Sequence, residues 1–124
     1  MSTPANENPP IEQQVGQLLA LALRAGASDV HLRADQVPML RIAGELQPVD
    51  LPPFDRAAMR TIAERMTPAG LREEATGCCQ IDFSAEWVGT ARFRVHRFLS
   101  RSEPALVLRL IPLQVPDFAA LRLP

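Results

Sequence analysis

Arginine alternates with apolar residues through Arg92-Phe93-Arg94-Val95-His96-Arg97, and another arginine, Arg109, stands between Leu108 and Leu110. Successive side chains of a strand point to opposite faces, so Arg92, Arg94 and His96 share one face and Phe93 and Val95 the other. If the chain turns over 100–103 and Leu99 pairs with Pro104, Arg94 falls directly opposite Arg109. Like charges facing each other across a ladder destabilise it, typically by a fraction of a kcal/mol. A bound anion reverses the sign of that effect, and both side chains are expected to be largely free of carboxylate partners. Phosphate suits the pair, because guanidinium forks grip its oxygens two at a time. The alternative is a plain solvated charged face, and a one-residue slip in register separates the pair.

Other chemistry is scarce. All 13 basic residues are arginine, and neither lysine nor tyrosine occurs. That excludes a Schiff base, a lysine general base and a phosphate loop ending in Gly-Lys-Ser/Thr. No Gly-x-Ser-x-Gly elbow and no His-Glu-x-x-His helix is present. Cys78 and Cys79 are neighbours, which disfavours a bridge between them, and two histidines cannot complete a zinc quartet. They read as a small buried residue and its neighbour in a reducing compartment. His31 between Asp29 and Arg33 reads as the solvated face of a strand, Glu73-Glu74 as helix surface, and Trp87 as a cap on the core. The 13 basic residues nearly balance 14 acidic ones, which excludes the strongly basic footprint of a nonspecific nucleic-acid binder.

The elements that must position these residues follow from periodicity. The 124 residues, 47% of them hydrophobic, suffice for one domain. Residues 1–8 are expected to be a disordered lead-in, and the polar, proline-rich stretch 1–10 is unlike a secretory signal. Ile11, Val15, Leu18, Leu19, Ala22 and Leu23 recur at helical spacing, with Asn8 as cap, Pro9 as first residue and Gly26 as stop, predicting a helix over 9–25. Strands follow over 28–33, 39–43 and 46–49, the last two joined by a turn at Gly44-Glu45. Asp55 caps a second helix through Met66, and Thr67-Pro68 opens a short third one to about Ala75. Strands over 79–83, 90–99 and 104–111 complete the domain, with a turn over 86–89. The order predicts an α+β domain: a mostly antiparallel sheet with helices on one face. Residues 112–124 read as a linker.

Several stretches together resemble one family. They are Ala27-Ser28-Asp29-Val30-His31-Leu32, Pro38-Met39-Leu40-Arg41-Ile42-Ala43-Gly44-Glu45-Leu46, Asp82-Phe83-Ser84, Ala91-Arg92-Phe93-Arg94-Val95-His96 and Val107-Leu108-Arg109-Leu110-Ile111-Pro112. Their order and spacing are similar to the N-terminal domain of PilT-type twitching-motility ATPases, within the type II/IV secretion ATPases. The resemblance covers about residues 10–124. It implies a PAS-like fold over 9–111 and a linker, 112–124, towards a RecA-like motor domain. It further implies a cytoplasmic homohexameric ring that uses ATP and magnesium, works on type IV pili and meets a pilus platform protein at the inner membrane. At the family's motif positions it assigns Arg94 and Arg109 to the ATP phosphates. His96 stands where Asn is usual, and Ser100-Arg101-Ser102-Glu103 where a Gln-Arg-Gly run is usual. The chain carries no Walker A, Walker B or His box, so it is expected to be inactive alone. The rival expectation is a stand-alone PAS-like module that binds a ligand or partner without ATPase activity.

Overall fold

The computed structural model describes residues 10–72, 80–87 and 91–111. Helix α1, Ile11–Ala25, buries Val15, Leu18, Leu19 and Ala22 along one stripe. Gly26, at φ 74°, closes it in the left-handed conformation that favours glycine. The helix starts at Ile11 after Pro10, which offers no side-chain cap; the expected cap, Asn8, lies outside the described residues. Helix α2, Arg56–Met66, is capped as expected, with the Ala58 amide donating to Asp55 Oδ1 at 2.8 Å. The expected third helix opens as a 3-10 turn, Ala69–Leu71, and its remainder, from residue 73, lies outside the described residues.

Among the described residues, six antiparallel strands form one sheet: β1 Asp29–Leu32, β2 Met39–Ile42, β3 Glu45–Pro48, β4 Gln80–Trp87, β5 Ala91–Ser100 and β6 Glu103–Ile111. Their spatial order is β3-β2-β1-β6-β5-β4. The two halves of the chain therefore meet at the β1–β6 pairing in the middle. Strand β4 runs through Glu86 and Trp87, which were expected in a turn. Every pair from Gln80–Phe98 to Trp87–Ala91 stays in register, so the ladder outlasts the local turn signal. The result is the expected α+β, PAS-like fold.

Alternation divides the sheet into two chemically distinct faces. Val30, Leu32, Phe83, Phe93, Val95, Leu106 and Leu108 join the helices in one buried cluster. Burying a side chain of this size contributes roughly 1.5–3 kcal/mol. Arg97 also lies on the helix side, donating to Thr67 Oγ1 at 2.7 Å, beside the C-terminal end of α2. A cation there suits the negative pole of the helix. The opposite face carries Arg92, Arg94, Val107 and Arg109.

Two tight turns set the registers. Ile42 pairs with Glu45, so the β2–β3 turn is Ala43-Gly44, one residue earlier than expected. Both residues have positive φ, 53° and 85°, the pattern of a turn whose twist matches that of its strands. Ser100 pairs with Glu103, making Arg101-Ser102 the β5–β6 turn, with φ 56° and 69° and no glycine. Glu103, 8% exposed, clamps this turn to α2. Its carboxylate accepts from Arg60 Nε at 2.9 Å and Arg60 Nη2 at 2.7 Å, with Arg56 Nε 3.7 Å away.

Two outcomes follow. The hydrogen bonds from Arg60, with the attraction of Arg60 and Arg56, hold the Glu103 carboxyl below its ordinary 4.5 against the opposing effect of desolvation. A depressed carboxyl stabilises the fold above its unfolded value, and that contribution disappears as pH falls through the folded value. Urea unfolding below pH 4.5 should therefore lose stability less steeply in Glu103→Gln than in the wild-type chain; equal slopes count against the clamp. Ser102→Gly should relieve the left-handed strain and add about 0.5–1 kcal/mol in the same assay, whereas a loss of stability contradicts the turn geometry.

Candidate functional site

One cross-strand line on the helix-free face of the sheet carries four charged residues. Ser84 pairs with Arg94, Arg94 with Arg109, Arg109 with Asp29, and Asp29 with Arg41. The expected opposition of Arg94 and Arg109 is therefore present, on a shared face. Arg94 is exposed, and among the described residues no hydrogen bond or ion pair engages it. Its direct cross-strand neighbour on β4, Ser84, carries no charge.

Arg109 was expected to lack a carboxylate partner, and here the structure differs. Its Nε lies 3.4 Å from Asp29 Oδ1, while the side chain remains 73% exposed. Asp29 is only 7% exposed rather than solvated. Its other oxygen is 3.5 Å from Arg41 Nε and accepts from Ser28 Oγ at 3.1 Å. Arg41 Nη1 in turn donates to the Gly44 carbonyl at 2.9 Å. The reason is the central β1–β6 pairing, which brings a residue of the first half of the chain against β6. A carboxylate taken out of water needs such partners. It holds Arg109 through Nε, and the two terminal nitrogens of the fork bond to no other described residue.

The adjacent line contains a second pair. His96 Nδ1 lies 2.7 Å from Asp82 Oδ1, and the imidazole stacks on Phe98 with centroids 5.2 Å apart. Arg94, Arg109, His96, Asp82, Asp29 and Val107 border one hollow of about 200 Å³. Two opposed guanidiniums with unspent donors thus line one open hollow, together with an imidazole and two carboxylates.

Other candidates separate. His31 is half-buried, and desolvation, then the positive Arg41, lower its pKa from 6.5 against the pull of Asp29. It is a neutral imidazole near pH 7, while Asp29 is committed to arginines, so the two do not form an acid–base pair. Arg33 lies over the Phe98 ring at 5.8 Å. Trp87 packs partly buried against the core, as expected of a cap; its indole nitrogen would lie 3.5 Å from a Cβ at Gly16. Glu73, Glu74, Cys78 and Cys79 lie outside the described residues. Among the described residues no group of three or more His, Cys, Asp or Glu is placed to hold a metal ion, and no helix is long and apolar enough to cross a membrane. The His96–Asp82 pair was missed by sequence reasoning, although both residues alternate onto the polar faces of neighbouring strands.

No family model matches the chain. Curated relatives do. The chain is 34% identical over 101 residues to the type IV pilus retraction ATPase PilT of Pseudomonas aeruginosa, covering 82% of this chain and 29% of that protein. It is 32% identical over 110 residues to the pilus ATPase PilU of the same organism, covering 87% and 28%. A twitching motility protein of Neisseria gonorrhoeae is 30% identical over 87 residues, covering 70% and 23%. The chain thus spans under a third of the length of these relatives. Among solved structures, the pilus retraction motor PilT with bound ADP superposes with a TM-score of 0.74 at 31% identity, covering 89% of this chain and 32% of that one. The Legionella pneumophila ATPase DotB, at 18% identity and TM-score 0.68 over 91% of this chain and 32% of its own, shares the fold.

The carboxylate at the centre of the line yields a direct expectation. Asp29→Ala leaves Arg41 and Arg109, on either side of β1, without their shared counter-charge. Urea unfolding at neutral pH should show a loss of about 1 kcal/mol or more; an unchanged midpoint contradicts the bridging role of Asp29.

Proposed function

Because this chain is an N-terminal domain of the PilT type, we propose that it closes over a nucleotide held by a RecA-like motor domain and presents Arg94 and Arg109 to its phosphates. The observation that carries this reading is the opposed arginine pair on the open face, with one member unpaired and the other held only through Nε. Two guanidiniums side by side repel each other until an anion lies between them. The phosphates of ATP are such an anion, and their charge shifts towards the transferred group during hydrolysis. Donors aimed there from a water-poor, closed interface stabilise that charge more than they could in open water. ATP, with its magnesium, would be held by the motor domain; the residues of this chain would orient the phosphates and offset their charge.

In this reading the domain works within a cytoplasmic homohexamer. It contacts the motor domain of its own or a neighbouring subunit and couples hydrolysis to type IV pilus retraction at an inner-membrane platform protein. The face that bears the arginines is an open hollow lined mainly by charged side chains, which suits a phosphate better than an apolar ligand.

In the complete motor, Arg94→Ala or Arg109→Ala should lower kcat for ATP about ten- to a thousandfold, with melting temperatures within about 2 °C of wild type. The 124-residue chain by itself should show no turnover above background. Hydrolysis at the wild-type rate in both full-length variants contradicts the proposal.

A further inference from the structure

We propose that His96 is a third anion contact beside Arg94 and Arg109, and that phosphate binding in this hollow takes up a proton at His96 Nε2. The inference rests on the reading of the two arginines as phosphate ligands and adds a group whose charge depends on pH.

The geometry fixes the imidazole. Asp82 Oδ1 lies 2.7 Å from Nδ1, and an ionised carboxylate can only accept, so the ring proton sits on Nδ1. Nε2 of the neutral ring is then an acceptor, which a phosphate oxygen avoids. Protonation turns the same atom into a donor without moving the ring, which Asp82 and the Phe98 stack keep in place. The ring borders the same hollow as both arginines.

The groups around it act in opposite directions. Asp82 on β4 and Asp29 on β1 favour the imidazolium. Arg94 on β5 and Arg109 on β6 oppose it, as does Arg33, which lies over the neighbouring Phe98. His31 on β1, lowered by burial and Arg41, adds no charge near pH 7. A phosphate seated between the arginines offsets their repulsion and supplies an acceptor for Nε2. Proton and anion must then favour each other by the same factor, because binding linkage is reciprocal. With the His96 side chain 41% exposed and that of Asp82 68% exposed, solvent screens the coupling to about three- to tenfold.

The test titrates inorganic tripolyphosphate into the wild-type chain, His96→Gln and Arg94→Ala at pH 6 and pH 8, with circular dichroism confirming that each is folded. Comparing variants at the same pH cancels the ligand's own ionisation. The ratio of affinities at pH 6 and pH 8 should be about three- to tenfold larger in wild type than in His96→Gln. Saturating tripolyphosphate should also move the NMR titration of His96 to higher pH by about half a unit or more. Equal ratios and an unmoved titration, with binding weakened in Arg94→Ala, overturn the role of His96 and leave the arginine site standing. Binding undiminished in Arg94→Ala overturns both, and binding undetectable in wild type at millimolar ligand overturns the proton-linked site on this chain, while the arginine reading is decided by kcat in the complete motor.

Discussion

The register of the β5–β6 hairpin is the constraint on which the rest depends. Pairing Ser100 with Glu103 sets Arg94 opposite Arg109 and, on the other face, Val95 opposite Leu108 and Phe93 opposite Leu110. A slip of one residue would move a strand's arginines into the core and its apolar residues into water. Burial of that apolar layer against α1 and α2 therefore enforces the repulsive arginine pair. Glu103 reinforces it from the turn, tied to α2 by two hydrogen bonds from Arg60. The left-handed, glycine-free turn at Arg101-Ser102 is sustained by the pairing on either side of it.

Repulsion alone would leave Arg109 free to swing away. Asp29 prevents that at modest electrostatic expense, because it engages Nε and shares its charge with Arg41. The side chains thus divide the work. One arginine is positioned by a nearly buried carboxylate, and its neighbour is left with all its donors available. This asymmetry suits a surface that meets a polyanion on closure, since the positioned cation is pre-organised and the free one can adapt.

Much of this was legible in local sequence. Alternation over β5 and β6, with the turn between them, offered Arg94 opposite Arg109 as one register of a local hairpin, and the structure selects that register. The helical stripe of α1 and the Asp55 cap of α2 were legible because they too are local. Contacts across long sequence separations were not. Asp29 reads as one more polar strand residue until β1 is laid beside β6, eighty residues away. The clasp of Arg60 on Glu103 and the pairing of His96 with Asp82 likewise depend on how elements pack. The turn at Ala43-Gly44 was placed one residue late because glycine can serve at either central position, and only the strand register decides. Glu86 and Trp87 extend a strand past a local turn signal because β5 continues to pair with them.

The central claim is that the open face of the sheet closes on phosphates. Its most direct measurement is a structure of the complete motor bound to a non-hydrolysable ATP analogue. The account predicts terminal phosphate oxygens within hydrogen-bonding distance, about 2.7–3.2 Å, of guanidinium nitrogens of both Arg94 and Arg109, with Asp29 still against Arg109. Phosphates fully enclosed by the motor domain, with both arginines turned to solvent in every subunit, would contradict it.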